Sequence, residues 1–342
     1  MRILALGGTR FVGRHIVEAA RTAGHEVTVF NRGRSPLPWD DVEQLTGDRE
    51  TGDLDALRER AWDACIDVSA YLPEHARASA ELLANHVLRY VFISTASVYV
   101  VDPAGGMDET TPLLPAALDE ADAVGAELYG ARKVACEQAV ERVFPGRTLI
   151  IRPGIVAGPF DPTNRFTWWV ERLARAGEVL GPGAPDSPVQ LVDGRDLGAF
   201  TVSLTERQEA GSFNVCGQPS SFGELIDACR TGTGTSPEVT WVSEEVLLAH
   251  GVEPFTEMPL WLPEEPGNRA FYSMSNARAR AQGLELRHLA DTARDTWEWL
   301  RAVRAGELAE PIGGGFVARG LSPEREAALL AARHSAPASD RS

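Results

Sequence analysis

The chain has 342 residues and a net charge of −16, from 33 basic and 49 acidic side chains. This length can bury a complete core, and the excess of acid works against nucleic acid or an anionic membrane as a partner. The sequence contains no run of about eighteen apolar residues, so it predicts no membrane span. Four scattered cysteines without a histidine at metal spacing predict no metal site and a reducing compartment, the cytoplasm.

Residues 2–33 predict a strand, a glycine turn, a helix and a second strand. An apolar run at residues 3–6 stops at Gly7, a helical stretch begins near Phe11, and another apolar run follows at residues 27–30. Gly7 permits a sharp turn, and Gly13 lets the helix lie close to the sheet, so free N–H groups at the helix start face a pyrophosphate. We therefore predict a dinucleotide site with contacts from Gly7, Thr9, Arg10, Phe11, Val12 and Gly13.

This turn resembles that of the extended short-chain dehydrogenase/reductase superfamily, which contains NAD(P)-dependent epimerases, dehydratases and reductases. The family turn reads Gly-x-x-Gly-x-x-Gly. This chain matches it at Gly7 and Gly13 but carries Arg10 in the middle, as in an atypical branch. The resemblance covers roughly residues 1–300. It implies an α/β fold, a Rossmann doubly wound parallel sheet with a smaller C-terminal α/β substrate-binding region.

The end of the second strand selects the cofactor in such folds. An acidic residue there favours NAD, whereas an arginine accommodates a 2′-phosphate. Here Asn31 and Arg32 stand at this position, so we expect NADP(H), with NAD(H) as the alternative if Arg32 only stacks on adenine. The resemblance adds Asp48 near the adenine, where an exposed turn is the alternative. It also implies a loop along the phosphates and ribose, formed by Ser69, Ala70 and Tyr71.

Two segments carry the predicted chemistry. A strand at residues 90–93 ends in Ser-Thr-Ala-Ser-Val-Tyr, and the resemblance implies that Thr95 holds the catalytic hydroxyl. Tyr129 and Lys133 lie four residues apart on a predicted helix, so they share one face. The ammonium, together with the positive nicotinamide of the oxidised cofactor, would lower the pKa of the phenol, and it would also hold the nicotinamide ribose. Thr95 would hydrogen-bond the reacting oxygen, which completes the predicted catalytic set.

The segment after this helix indicates the kind of substrate. Pro153 and Ile155 lie where the family closes a loop over the nicotinamide. Sugar-nucleotide epimerases of the family usually carry an asparagine at the Ile155 position and tend to carry an arginine near Val189, and both anion contacts are missing here. A 4,6-dehydratase would carry Asp-Glu directly after Thr95. This chain has Ala-Ser there, so water elimination lacks an evident acid and base.

Aromatic residues beyond position 160 are candidate walls of a substrate pocket, because aromatic clusters beside a cofactor bury flat or apolar substrates. For each of them, a place in the core of the smaller region is the alternative. The candidates are Trp168, Trp169, Phe255 and Trp261, and Tyr71 is a further candidate substrate contact.

We expect residues 1–160 to form the NAD(P)-binding domain, with a sheet completed by strands near 189–193 and 211–216. Residues 161–188 and 217–304 would form the substrate-binding region. Residues 305–342 would form a tail with a flexible connector, a short helix and a disordered end.

The predicted function is that of an NADP(H)-dependent oxidoreductase that reduces a carbonyl or related C=N group of a small metabolite. One alternative is an NAD-dependent sugar or nucleotide-sugar epimerase, which would use the same three catalytic residues. Another is a non-catalytic cofactor-sensing or RNA-binding protein on the same fold, against which the acidic net charge counts. We expect a monomer or a homodimer with a small-molecule substrate.

Overall fold

The structure is a computed structural model that describes residues 1–34, 37–117, 126–175, 177–309 and 316–335. Within these ranges, no helix is long and apolar enough to cross a membrane. Residues 310–315 of the predicted connector and residues 336–342 of the predicted disordered end lie outside the described residues.

Strands and helices alternate along most of the chain. The strands are β1 (Arg2–Leu6), β2 (Glu26–Asn31), β3 (Glu43–Thr46), β4 (Trp62–Asp67), β5 (Val87–Ile93), β6 (Thr148–Pro153), β7 (Ile155–Ala157), β8 (Val179–Pro182), β9 (Pro188–Val189), β10 (Leu191–Asp193), β11 (Gly211–Val215), β12 (Ser220–Ser221) and β13 (Val239–Val242). The α-helices are α1 (Phe11–Thr22), α2 (Pro73–Leu83), α3 (Ala126–Val143), α4 (Arg165–Leu173), α5 (Gly194–Glu206), α6 (Phe222–Thr233), α7 (Glu244–Ala249), α8 (Pro266–Phe271), α9 (Ala277–Ala281), α10 (Leu289–Arg304) and α11 (Pro323–Ser335). Asp55–Leu57 and Ala96–Val98 form short 3₁₀ helices.

Seven parallel strands form the central sheet in the order β11-β6-β5-β4-β1-β2-β3. The chain order reverses beside β1, where β2 lies on one side and β4 on the other. In doubly wound sheets of this kind, ligands bind outside the carboxyl ends of the strands at the reversal. The predicted α/β Rossmann fold is confirmed, and the reversal places its crevice between the ends of β1 and β4.

The strand β1 explains how the sheet is buried on both faces. Side chains alternate along a strand. Ile3 and Ala5 therefore pack with residues of α1 and α5, while Leu4 and Leu6 pack with residues of α2 and α3. A Cβ at position 198 of α5 would lie 2.7 Å from the His15 carbonyl oxygen, so Gly198 lets α5 pack closely on α1.

The sheet edge beside β6 differs from the prediction in one respect. β11 pairs in parallel with β6, from Gly211 opposite Leu149 to Val215 opposite Pro153. The segment 189–193 forms β9 and β10 instead, which pair with β12 and β7 outside the central sheet. The expectation that 189–193 completes the main sheet is therefore wrong, because β11 already uses the backbone groups along that edge.

A separate core cluster draws on α4, α6, α10 and α11. Helix α11 contributes the buried Leu329 and Leu330, and its Glu326 carboxylate accepts a hydrogen bond from Arg172 Nε at 2.6 Å. The last helix is thus packed against the rest of the protein and is not part of a free tail. The division of the chain near residue 160 stays a prediction.

Candidate active site

The turn between β1 and α1 has the shape that a dinucleotide needs. Gly7 and Gly8 have φ angles of +104° and +95°, which residues with a side chain rarely adopt. A Cβ on Gly13 would lie 2.8 Å from the Gly8 Cα, so glycine lets the helix start this close to the turn. These residues therefore fit the close approach of a pyrophosphate to the backbone.

The start of α1 offers unsatisfied donors and a nearby cation. Arg10 precedes the helix without capping it through its side chain, and the first turn holds no acidic residue. Free N–H groups and the helix dipole favour an anion here. The exposed Arg10 also lies close enough to Tyr71 for its charge to oppose the rise in the Tyr71 pKa that desolvation causes. The turn is completed by Phe11, whose φ angle is +28°, and by Thr9 and Val12.

No acidic residue ends β2. Its last residue, Asn31, accepts hydrogen bonds from the Gly33 N–H at 2.7 Å and from Gln44 Nε2 at 2.9 Å. Arg32 donates to Glu50 Oε1 at 3.1 Å in a solvent-exposed ion pair. Exposed ion pairs contribute little to stability, so the Arg32 guanidinium is able to exchange Glu50 for another anion.

Asp48 lies in a turn, where its carboxylate accepts a hydrogen bond from the Glu50 N–H at 3.0 Å. Its role near adenine stays a prediction. The next residue, Arg49, makes a contact that the sequence analysis missed, a bidentate pair with Asp67 at 2.7 and 2.8 Å. Burial alone would raise the pKa of Asp67, but the charge and hydrogen bonds of Arg49 lower it. The available signal was a single acid inside the apolar run at 64–68.

Ser69 and Ala70 connect the glycine turn to the catalytic helix. Ser69 Oγ donates to the Leu6 carbonyl at 3.1 Å, and a Cβ on Gly7 would lie 3.2 Å from the Ser69 Cβ. The Ala70 carbonyl accepts a hydrogen bond from Lys133 Nζ at 3.0 Å. The structure thus brings together residues that the sequence analysis assigned to the cofactor from three separate segments.

Thr95 and Tyr129 meet because α3 approaches the end of β5 closely. A Cβ on Gly130 would lie 1.9 Å from the Ser97 carbonyl oxygen, so glycine is needed at this contact. Thr95 caps the 3₁₀ helix that follows by accepting from the Ser97 N–H at 3.2 Å, and its hydroxyl lies close enough to that of Tyr129 to oppose the rise in the Tyr129 pKa. Two of the three predicted catalytic residues therefore lie close to each other.

Lys133 lies one turn further along α3 and is buried. Its Nζ donates to the Ile93 carbonyl at 2.6 Å and to the Ala70 carbonyl at 3.0 Å. It also lies 5.7 Å from the centroid of the Tyr71 ring. Burial lowers the pKa of Lys133 to about 8. The ammonium is held where the chain leaves β4 and β5, close to the crevice.

The pKa of Tyr129 moves in the direction opposite to the prediction. The residue is 40% exposed, yet protein atoms around its phenol still desolvate it. Desolvation raises the pKa to about 12, Tyr71 adds to the rise, and the nearby Thr95 hydroxyl opposes it. The expectation that Lys133 lowers this pKa is wrong, because its Nζ binds main-chain carbonyls and desolvation dominates. The phenol is therefore protonated at neutral pH.

On the substrate side, Pro153 and Ile155 are both buried, and the Gly154 N–H between them donates to the Val215 carbonyl at 3.0 Å. Their contact with a nicotinamide stays a prediction. Tyr71, in contrast, is 60% exposed, and its ring centroid lies 6.3 Å from that of Tyr129. Tyr71 is thus available to a substrate beside the phenol.

Two of the predicted tryptophan walls lie in the core. Trp169 and Trp261 are 0% and 1% exposed, and Trp169 Nε1 donates to the Pro259 carbonyl at 2.7 Å. Trp168 packs edge-on against Trp169 and lines a cavity between α4 and α11. The pocket role is wrong for Trp169 and Trp261, because both side chains are buried in the core, Trp169 on the inward face of α4. That face consists of Phe166, Trp169, Val170 and Leu173. For the partly buried Trp168 the pocket role stays a prediction.

Arg165 is a residue that the sequence analysis missed. It begins α4, and its positive charge opposes the rise in the Tyr129 pKa. The guanidinium carbon lies 6.0 Å from the centroid of the Phe255 ring. The available signal was an arginine directly before the buried aromatic face of a helix. Arg165 thus lies near the Tyr129 phenol and beside the Phe255 ring.

The fold and the glycine turn together define a Rossmann-fold protein with a candidate dinucleotide site. No family model matches the chain. It is 26% identical over 258 residues to the chloroplast stem-loop binding protein of 41 kDa b from Arabidopsis thaliana. The matched segment covers 70% of this chain and 65% of that protein, so the chain spans less than two thirds of the length of this relative. It is 24% identical over 263 residues to the bifunctional pinoresinol-lariciresinol reductase from Thuja plicata, covering 72% of this chain and 80% of that protein.

Solved structures share the fold. A UDP-glucuronic acid 4-epimerase from Bacillus cereus in complex with NAD has a TM-score of 0.66 at 15% identity, over 91% of this chain and 100% of that chain. A UDP-glucose 4-epimerase from Thermus thermophilus in complex with NAD has a TM-score of 0.63 at 20% identity, over 88% and 99%. These similarities agree with the predicted resemblance to the extended short-chain dehydrogenase/reductase superfamily.

Proposed function

We propose that the protein is an NADP(H)-dependent reductase that acts on a carbonyl or related C=N group of a small metabolite. The observation that carries the proposal is the close approach of α3 to the end of β5, which brings Tyr129 near Thr95, with the buried Lys133 ammonium one helical turn away. A protonated phenol beside a second hydroxyl is suited to donating a proton to an oxygen or nitrogen that gains negative charge.

Each of the three residues has a separate task in this mechanism. The substrate oxygen lies between Thr95 and Tyr129, and Thr95 donates a hydrogen bond to it. Tyr129 transfers its proton to that oxygen, and it is protonated at neutral pH, as a proton donor must be. Lys133, held by the Ala70 and Ile93 carbonyls, would bind the ribose hydroxyls. When bound, the nicotinamide supplies the hydride.

The residues for holding the cofactor are the glycine turn and its surroundings. Gly7, Gly8 and Gly13 leave the backbone accessible to the pyrophosphate. Arg10 adds positive charge at the same end of α1. The absence of an acid at the end of β2 and the exposed Arg32 support NADP(H) over NAD(H). The reductase named among the relatives, at 24% identity, agrees with this direction of reaction.

A second candidate is an epimerase, because two proteins of known structure with the same fold are sugar-nucleotide epimerases. It would oxidise and re-reduce one substrate with the same three residues. Against a nucleotide-sugar substrate stand the two missing diphosphate contacts, since Ile155 and Val189 are apolar and 6% and 1% exposed. An epimerase would purify with tightly held NAD⁺ and consume no cofactor overall.

The test compares the wild type with Tyr129→Phe in NADPH oxidation with a panel of aldehydes, ketones and imines. We expect the variant to lose about 10²- to 10⁴-fold in kcat, the usual contribution of a positioned proton donor, and to bind NADPH as tightly as the wild type. Thr95→Val should lose activity in the same way. Equal turnover by Tyr129→Phe would refute the assignment.

The same preparation separates the remaining candidates. Retained NAD⁺ with no net cofactor consumption would favour the epimerase. The name of the Arabidopsis thaliana relative prompts a gel-shift measurement with a stem-loop RNA. We expect no shift at physiological salt, because the net charge of −16 opposes phosphate binding. A shift without any NADPH binding would favour the non-catalytic candidate.

A further inference from the structure

Arg165 is held in place at one edge of its guanidinium and open at the other. It is half-buried at the start of α4, and its Nε donates to Thr163 Oγ1 at 3.0 Å. Thr163 Oγ1 in turn donates to Asp161 Oδ1 at 2.6 Å. Among the residues that the structure describes, no carboxylate lies within 4 Å of the Arg165 guanidinium. The side chain is therefore fixed without being neutralised.

The other arginines of this segment behave differently. Arg172 forms an ion pair with Glu326 at 2.6 Å, and Arg175 forms one with Glu171 at 3.0 Å. In a chain with 49 acidic and 33 basic residues, a cation of this kind readily finds an acidic neighbour. Arg165 has the buried Asp161 nearby, but that carboxylate is turned to Thr163, so the guanidinium keeps an unused edge.

Aromatic rings lie next to this open edge. The guanidinium carbon is 6.0 Å from the centroid of the Phe255 ring, which lies 5.6 Å from that of Phe316 and 6.4 Å from that of Phe271. Phe316 is 47% exposed. On the other side, the charge of Arg165 reaches the Tyr129 hydroxyl. The guanidinium thus lies beside a partly exposed aromatic surface and near the Tyr129 phenol.

We infer that Arg165 binds a carboxylate of the substrate, while Phe255 and Phe316 cover an apolar or aromatic body attached to it. The inference rests on the proposed function, which puts the reacting carbonyl at Tyr129. A planar guanidinium suits the two oxygens of a carboxylate. A single cation beside aromatic rings matches one negative charge better than a diphosphate. The substrate class is therefore a carbonyl compound with an apolar body and a carboxylate.

Benzoate and benzamide are the probes for this inference, because they have nearly the same shape and differ in charge. Each is titrated calorimetrically into the protein saturated with NADP⁺. We expect the wild type to bind benzoate about tenfold more tightly than benzamide, as a hydrogen-bonded charge pair would provide. Arg165→Met should reduce benzoate affinity to the level of benzamide and leave benzamide affinity unchanged. Arg165→Lys should retain part of the preference.

The matched control is Arg175→Met, which removes an exposed arginine two residues after α4 and should leave both affinities unchanged. Thermal unfolding of each variant verifies that it is folded. Equal affinity of the wild type for the two probes, no benzoate binding, or a benzoate preference that survives in Arg165→Met would overturn the inference. Turnover of 4-carboxybenzaldehyde by Tyr129→Phe at the wild-type rate would instead refute the proposed function, whatever Arg165 binds.

Discussion

At the scale of single residues, the choice of cofactor depends on a competition for Arg32. Its guanidinium pairs with Glu50 in an exposed contact that a 2′-phosphate would replace. Arg32→Ala should weaken NADP⁺ binding by about tenfold or more, since a hydrogen bond to a charged group contributes about 1.5–3 kcal/mol. NAD⁺ binding should not change. Glu50→Gln removes the competitor and should tighten NADP⁺ binding.

Calorimetric titration of both cofactors measures these effects, and Arg58→Ala, which breaks another exposed ion pair with Asp55, serves as the control. If Arg32→Ala weakens NADP⁺ and NAD⁺ equally, Arg32 only stacks on adenine and the preference for NADP⁺ has no basis at this residue.

The position of a site residue was predictable from the sequence where the residue belongs to a motif with a characteristic spacing along the chain. Gly7 and Gly13 in the turn, and Tyr129 and Lys133 one helical turn apart, are of this kind. The partner of Lys133 was not predictable in the same way, because the Ala70 and Ile93 carbonyls reach it only after two strands have been placed side by side. This is why the direction of the Tyr129 pKa shift was wrong.

At the scale of elements, a buried ion pair fixes the catalytic helix α3 to the sheet. Glu137, one turn beyond Lys133, accepts hydrogen bonds from Arg152 Nε at 3.0 Å and Nη2 at 2.7 Å. Arg152 Nη1 also donates to the Tyr99 hydroxyl at 3.0 Å. The Glu137 and Arg152 side chains are 2% and 5% exposed, so water stabilises neither charge and each depends on the other for its stabilisation.

Glu137→Ala should therefore lower the free energy of unfolding by about 3–5 kcal/mol, the cost of leaving a buried charge unpaired. Replacing both partners, in a Glu137→Met and Arg152→Met double variant, should recover much of that loss. Urea unfolding measures both, and Asp55→Ala in an exposed pair should stay within about 0.5 kcal/mol of the wild type. An equally small effect of Glu137→Ala would show that this pair does not anchor the helix.

Elements were predictable where one pattern had one structural solution. The apolar runs of β1, β2 and β4 are strands because both faces of the sheet are covered. The segment 189–193 has the same apolar character, but its place depends on whether another strand already covers the edge. In α4, a tryptophan suits a pocket wall and a core equally well, and only the packing of α6, α10 and α11 decided for the core at Trp169.

At the scale of the whole molecule, the net charge is negative, whereas arginines are grouped near the proposed site. The net charge of −16 repels anionic ligands at long range. Arg10, Arg32 and Arg165 surround the crevice and substrate side, and none of them is in a buried ion pair. This grouping could not be read from composition, because the three residues lie on separate elements. In the proposed function, this grouping would provide local attraction for the cofactor phosphates and for a substrate carboxylate.

The crystal structure of the protein with NADP⁺ bound tests the central claim most directly. We expect the pyrophosphate at the N–H groups that begin α1 and the nicotinamide ribose within hydrogen-bonding distance of Lys133 Nζ. The reacting face of the nicotinamide should lie toward the Tyr129 and Thr95 hydroxyls, about 3–4 Å from the position of a carbonyl carbon. A nicotinamide directed away from these hydroxyls, or a dinucleotide bound elsewhere than the glycine turn, would contradict the account.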